Sequence, residues 1–287
     1  MSHEGVTCIS CHTIKSVEKH ATRNKNVYAE DKHTLFSAEK GRESEVVKYK
    51  TTTSWWGNKT TIGSAYHDID YTNEDYYTGE MCMGCHSHKQ NSHQFDVCKT
   101  DDTGAKNIEE NCITCHMPKI GGTATTVRHS DTHAYHGFAG ALVEPRMLAI
   151  HVEFDFKKSS NGFDITLHSK APHDLMSHPL RVVQLKATLI RDTKHTTLKT
   201  HSFVRIIGTE GKPSMPWLAT EVVKNNMIKA NEKRVVAFDQ TLQSGDKVEV
   251  VLGFYVVNPK VLKKLNLQDD KELNRFTVLK SQHFSVE

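Results

Sequence analysis

The chain has no run of eighteen or more apolar residues, so no segment is long enough to span a membrane as a helix. The opening "MSHEGVTCIS" lacks the charged-then-apolar order of a signal peptide, and no stretch is low in complexity or built on a 20–50-residue repeat. A large excess of one charge sign is missing too. With 37 Lys and Arg against 34 Asp and Glu, the formal charge is +3, and no basic block stands out that would argue for nucleic-acid binding. Apolar residues are scarce, at 37% of 287 positions, which points to two ordinary domains with modest cores rather than one large core.

What is abundant is cysteine and histidine, with 7 and 19 copies. Six of the seven cysteines fall into three copies of one pattern: Cys8-Ile9-Ser10-Cys11-His12, Cys82-Met83-Gly84-Cys85-His86 and Cys112-Ile113-Thr114-Cys115-His116. Chance would supply roughly 0.01 such motifs in a chain of this composition. The spacing has a chemical reason. Two thiols three residues apart on one turn reach the two vinyl groups of a haem as thioethers, and the adjacent histidine then addresses the iron. A zinc ribbon also uses Cys-x-x-Cys pairs, but it does not need a histidine after each second cysteine. Three haem c groups are therefore expected, held by Cys8, Cys11, Cys82, Cys85, Cys112 and Cys115, with His12, His86 and His116 on the irons. Cys98 is left over and is expected to be a partly buried free thiol.

The opposite iron face decides between electron carrier and enzyme. The favoured candidates for it are His136 and His133, placed three apart on an expected helical face, then His67, His93 and His20, with His3, His33, His88 and His129 also in range. Three irons each held by two histidines would move electrons. An open face, lined by cations such as Lys119, Arg128 or Arg146, would let a haem reduce a small nitrogen or sulfur oxyanion, which is the alternative function. Thioether formation takes place outside the bacterial cytoplasm, so a periplasmic or extracellular location is expected, with an export signal that this sequence does not contain. Redox proteins are the expected partners, and a homo-oligomer with haem contacts between subunits is a further expectation.

The fold class expected is α+β in two domains. Residues 1–142 read as a trihaem domain with little regular structure and short helices, including a loop or partly helical excursion at 29–50. Residues 143–287 read as an antiparallel, immunoglobulin-like β-sandwich. There "LAIHVEFDF" puts Leu148, Ile150, Val152, Phe154 and Phe156 on one side, the two-residue period of a half-buried strand. Six similar segments follow, and "NPKVLKKLNL" is expected to interrupt them as a helix capped by Asn258 with Pro259 at its first position. The Trp55-Trp56 pair is expected in a core, at an interface or beside a haem.

"EGVTCISCH", "CMGCHSHKQNSH" and "NCITCHMPK" followed by "HAYHGFAG" resemble the multihaem c-type cytochromes related to the pentahaem nitrite reductases and hydroxylamine oxidoreductases. The likeness covers about the first 140 residues. It implies haem ligation by a downstream histidine that His136 matches. It also implies a β domain in which His173 or His178, before "PLR", reaches a haem. The lysine-bearing CxxCK motif of the nitrite reductases is absent.

Overall fold

A computed structural model describes residues 7–31, 33–87, 90–98, 107–123 and 130–287. The chain forms two compact units: one holds Met1–His88 and Ala105–Thr114, the other Lys89–Gly104 and Cys115–Glu287. Among the described residues no helix is long and apolar enough to cross a membrane.

The second unit is built by the alternation visible in its sequence. Strands Val152–Lys158, Phe163–Ser169 and Lys233–Phe238 make one antiparallel sheet, and strands Val182–Arg191, Lys194–Thr197, His201–Phe203, Lys247–Tyr255 and Thr277–Ser285 make another. Every second residue of Phe163–Ser169 is buried, which puts Phe163, Ile165 and Leu167 inside. They share one cluster with Leu185, Leu189, Val248, Val250 and Leu252 from the other sheet. Each fully buried aliphatic side chain there contributes about 1.5–3 kcal/mol of transfer free energy. Strands Arg205–Thr209, Lys212–Pro213 and Glu221–Asn225 form a third, separate sheet. Pro259–Lys264 is the expected helix, with the Asn258 side chain accepting from the Lys260 amide at 3.0 Å.

The first unit departs from expectation. Strands Ile14–Glu18 and Lys25–Tyr28 pair, Lys50–Thr53 pairs with Lys59–Ile62, and Thr34–Phe36, Asp68–Asp70 and Val46–Val47 form a three-stranded sheet. The α+β class is thus overturned: among the described residues strands dominate, spread over seven sheets, while no helix is longer than seven residues. The reason lies in composition. The 46–62 segment is rich in threonine, valine and aromatic residues, which suit a pleated surface and gain little from a helix. The seven-strand immunoglobulin-like layout does not form either, because the expected strand at 197–207 breaks into pieces that belong to two different sheets. Pro145–His151 is a 3-10 turn, so the strand expected from Leu148 begins at Val152.

The apolar core of the first unit is small. Ile14, Phe36, Tyr76 and Met81 are buried together, and Cys11 and Cys82 pack against them.

Candidate haem attachment sites

Each Cys-x-x-Cys-His motif sits on one tight turn. The first is the helix Cys8–His12, the second the 3-10 turn Glu80–Gly84 running into Cys85, and the third the helix Cys112–His116. A turn puts both thiols and the histidine on neighbouring positions, as thioether attachment requires.

Several residues that the sequence did not flag hold these turns. Asn111 is buried, and its Oδ1 accepts from the amides of Ile113 and Thr114 at 2.8 and 3.1 Å, capping the third motif. The Thr114 hydroxyl accepts from the Asn111 amide at 2.9 Å in return, a capping box with threonine in place of glutamate. The Asn111 amide group donates to the carbonyls of Tyr77 and Asn107, both at 2.8 Å. Asn24, also buried, plays a similar part at the second motif: its Nδ2 donates to the Met83 carbonyl at 3.2 Å, and its amide donates to Ser87 Oγ at 2.8 Å. The Tyr76 hydroxyl lies 2.5 Å from the Cys11 carbonyl and 3.1 Å from that of Ile14. Asn111 was findable, since an asparagine directly before a helical motif is an N-cap signal. Asn24 and Tyr76 act across about 60 residues and carry no local signal.

The three motifs are drawn together at their cysteines. Cys82 and Cys112 share a side-chain hydrogen bond, which together with burial pushes the Cys82 thiol far above its ordinary range. Burial raises Cys11 as well, with smaller contributions from Cys85 and Cys8. Gly79 lets the second and third motifs approach: its φ is +77° and an added Cβ would lie 3.1 Å from Cys112 Cβ. At Gly84 a Cβ would fall 1.5 Å from Asn26 Oδ1, so the middle of the second motif has no room for a side chain.

The histidines show a common device. His12 Nδ1 donates to the Phe36 carbonyl at 2.6 Å, and His116 Nδ1 donates to the Ala139 carbonyl at 2.6 Å. A carbonyl can only accept, so the ring proton sits on Nδ1 and Nε2 carries the lone pair, the tautomer an iron ligand needs. His67, His133, His136 and His173 are held in the same way by the carbonyls of Asp68, Gly122, Ala134 and Asp174, at 3.2, 2.9, 2.8 and 3.0 Å. His20 differs, because its Nε2 faces Glu18 at 3.6 Å. His93 is exposed beside a turn closed by Asn91. His86 is exposed at the end of its motif.

One pair stands apart. Within the second unit the rings of His116 and His173 have centroids 6.1 Å apart and planes inclined by 17°. An iron bonded through Nε2 of two imidazoles needs a centroid separation of roughly 6 Å, from two bonds of about 2 Å plus the ring radii. The sequence ranked His133 and His136 first on an expected helical face, but Thr132–Ala134 is a strand paired with Lys119–Gly121, so that face does not exist. His3, His88, Arg128 and His129 lie outside the described residues.

The residues present fit haem attachment. Tautomer-locked histidines end two of the motifs, and motif cysteines form part of the small core of the first unit. Large apolar side chains beside the motifs, such as Ile9 and Tyr28, stand exposed. A zinc site would instead need three or more His, Cys, Asp or Glu side chains converging on one point, and none do so among the described residues.

No family model and no curated protein sequence matches this chain. Among solved structures, the chain is similar to a penta-heme cytochrome c552 from Thermochromatium tepidum. The TM-score is 0.69 at 20% identity, over 99% of this chain and 77% of that one. A match to the Escherichia coli curli protein CsgC has a TM-score of 0.20 and carries no argument. Taken after the motif geometry, the first likeness has one consequence: the fold is that of a multihaem cytochrome c.

Proposed function

We propose that this chain is an electron-carrying c-type cytochrome with three haem c groups, exported to the periplasm or beyond, and that it passes electrons to and from other redox proteins. Each haem iron, when bound, takes up and releases one electron by cycling between its ferric and ferrous states. Cys8 and Cys11, Cys82 and Cys85, and Cys112 and Cys115 supply the thioether sulfurs. His12, His86 and His116 would each hold an iron through a ring nitrogen. The observation that carries the reading is the His116–His173 pair: two rings, each with its proton on Nδ1, at the spacing of two ligands on one iron. Were both rings to hold one iron, that site would be closed to substrate, which favours electron transfer over oxyanion reduction. The carbonyls that His12 Nδ1 and His116 Nδ1 engage would raise the basicity of these rings as ligands and so help tune the potential of a bound haem. Close grouping of the motif cysteines in the first unit would place the porphyrins within short hopping distance of one another.

The test has two parts. Intact mass and pyridine haemochrome spectra of the exported protein should give three covalent haems, and one or two would overturn the assignment. Low-temperature EPR of the oxidised protein should show low-spin signals unmoved by cyanide or nitrite. His173→Ala should turn one haem high-spin, whereas His136→Ala should not. The reverse result would return the ligand to the "HAYHGFAG" stretch, and a high-spin wild-type signal that shifts with nitrite would establish the reductase.

A further inference from the structure

We propose that the Trp55-Trp56 hairpin of the first unit is a membrane-surface anchor that seats the protein on anionic lipid. This goes beyond electron transfer and does not depend on it. Strands Lys50–Thr53 and Lys59–Ile62 pair in register from Lys50↔Ile62 to Thr53↔Lys59, and every residue of both is exposed. Two-stranded hairpins with neither face covered are marginal in water, so an extended arm of this kind needs a reason to persist.

Its tip is built with care. The Ser54 amide donates to the Asn58 carbonyl at 2.8 Å, the Gly57 amide donates to the Ser54 carbonyl at 2.9 Å, and the Asn58 amide donates to Ser54 Oγ at 3.1 Å. Gly57 takes a φ of +80°. This is a three-residue hairpin loop, a turn followed by a left-handed glycine, and the two central turn positions normally go to small polar residues. Here they hold Trp55 and Trp56, which are 94% and 85% exposed. A local rule broken at an outward-facing point marks a functional surface.

The chemistry of the arm selects the occupant. Between Val46 and Gly63 there are three lysines, Lys48, Lys50 and Lys59, and no acidic residue. Lys48 has Asp31 nearby, which leaves Lys50 and Lys59 as the cations of the arm itself. Below the tip the strand faces are mostly threonine. Two indoles offer at most about 500 Å² of contact. A stable protein interface needs about 800 Å² from each partner, so the tip alone is too small to hold a second protein. Paired indoles above a lysine-bearing stem suit the lipid interface, where the rings settle among headgroups and the ammonium groups meet phosphate.

The experiment is co-sedimentation of the haem-loaded protein with phosphatidylcholine vesicles, with and without phosphatidylglycerol, read by haem absorbance in the pellet. Binding to the anionic vesicles, weakened by salt, is expected. The double variant W55S/W56S should lower the vesicle affinity at least tenfold with an unchanged haem spectrum, and K50Q/K59Q should remove most of the salt dependence. Equal affinity of W55S/W56S and wild type, or no binding to either vesicle, overturns the proposal. Sedimentation velocity guards against a different seat for the arm: a dimer that W55S/W56S splits would assign the tip to a second copy of the chain and overturn the lipid assignment.

Discussion

Replacing Asn111 by alanine tests how the third motif is held. The side chain is buried and makes four bonds of 2.8–3.1 Å: two amides of the motif donate to it, and it donates to the Tyr77 and Asn107 carbonyls. Loss of an N-cap costs about 1 kcal/mol. The Tyr77 carbonyl, left without its donor in a buried setting, costs about 1 kcal/mol more, whereas that of exposed Asn107 can turn to water. The sum is about 2 kcal/mol, a large share of the roughly 5–15 kcal/mol that holds a domain folded. Equilibrium unfolding in guanidinium, followed by far-UV circular dichroism, should report that loss. Asn111→Asp keeps the cap but loses the amide donor, and it should fall between alanine and wild type. If alanine cost less than about 0.5 kcal/mol, the level of an ordinary surface change, the bracing role of Asn111 would be refuted. A mass spectrum of the variant should also show a fraction of chains short of one haem.

Further outcomes follow from other contacts. Gly79→Ala should cost about 1 kcal/mol for its left-handed backbone, and more for the crowding of Cys112, again read by guanidinium unfolding. Asp246 is clamped by two bonds of 2.8 Å from Arg191, which hold its carboxyl at about 2 against an ordinary 3.8. Its folded pKa lies below the unfolded one, so its contribution is present above about pH 4 and is lost as pH falls toward about 2. After screening at the more exposed Arg191, about 1 kcal/mol should disappear over that window in wild type and not in Asp246→Asn, as measured by stability against pH.

Legibility followed the range of the interactions. The Cys-x-x-Cys-His motifs, the alternation of Phe163, Ile165 and Leu167, and the Asn258-Pro259 helix start are all decided within a turn or a strand, and each stands where the local pattern put it. The strands of the first unit were harder. Lys50–Thr53 and Lys59–Ile62 bury neither face, so there is no alternation to see, and only their threonine content and the Gly57 turn mark them. Pro145 starts a short 3-10 turn that masks the true beginning of the following strand at Val152. The ring partner of His116 was the least legible of all from local pattern. His173 stands 57 positions after His116 in sequence, and only its place before "PLR" in the resemblance set it beside His133 and His136, which a helical period favoured until the strand formed.

The carbonyls that aim His12 and His116 come from 24 and 23 residues further along the chain. Chain closure over such a span takes under about a microsecond and costs only a few kcal/mol of entropy. Ring and brace can therefore meet while the remainder of the polypeptide is still unstructured. The turns of the first and second motifs lean instead on Tyr76 and Asn24, about 60 residues away, so the aim of each ring is set by an early, local closure and the packing of these motifs only when the distant strands and turns come together.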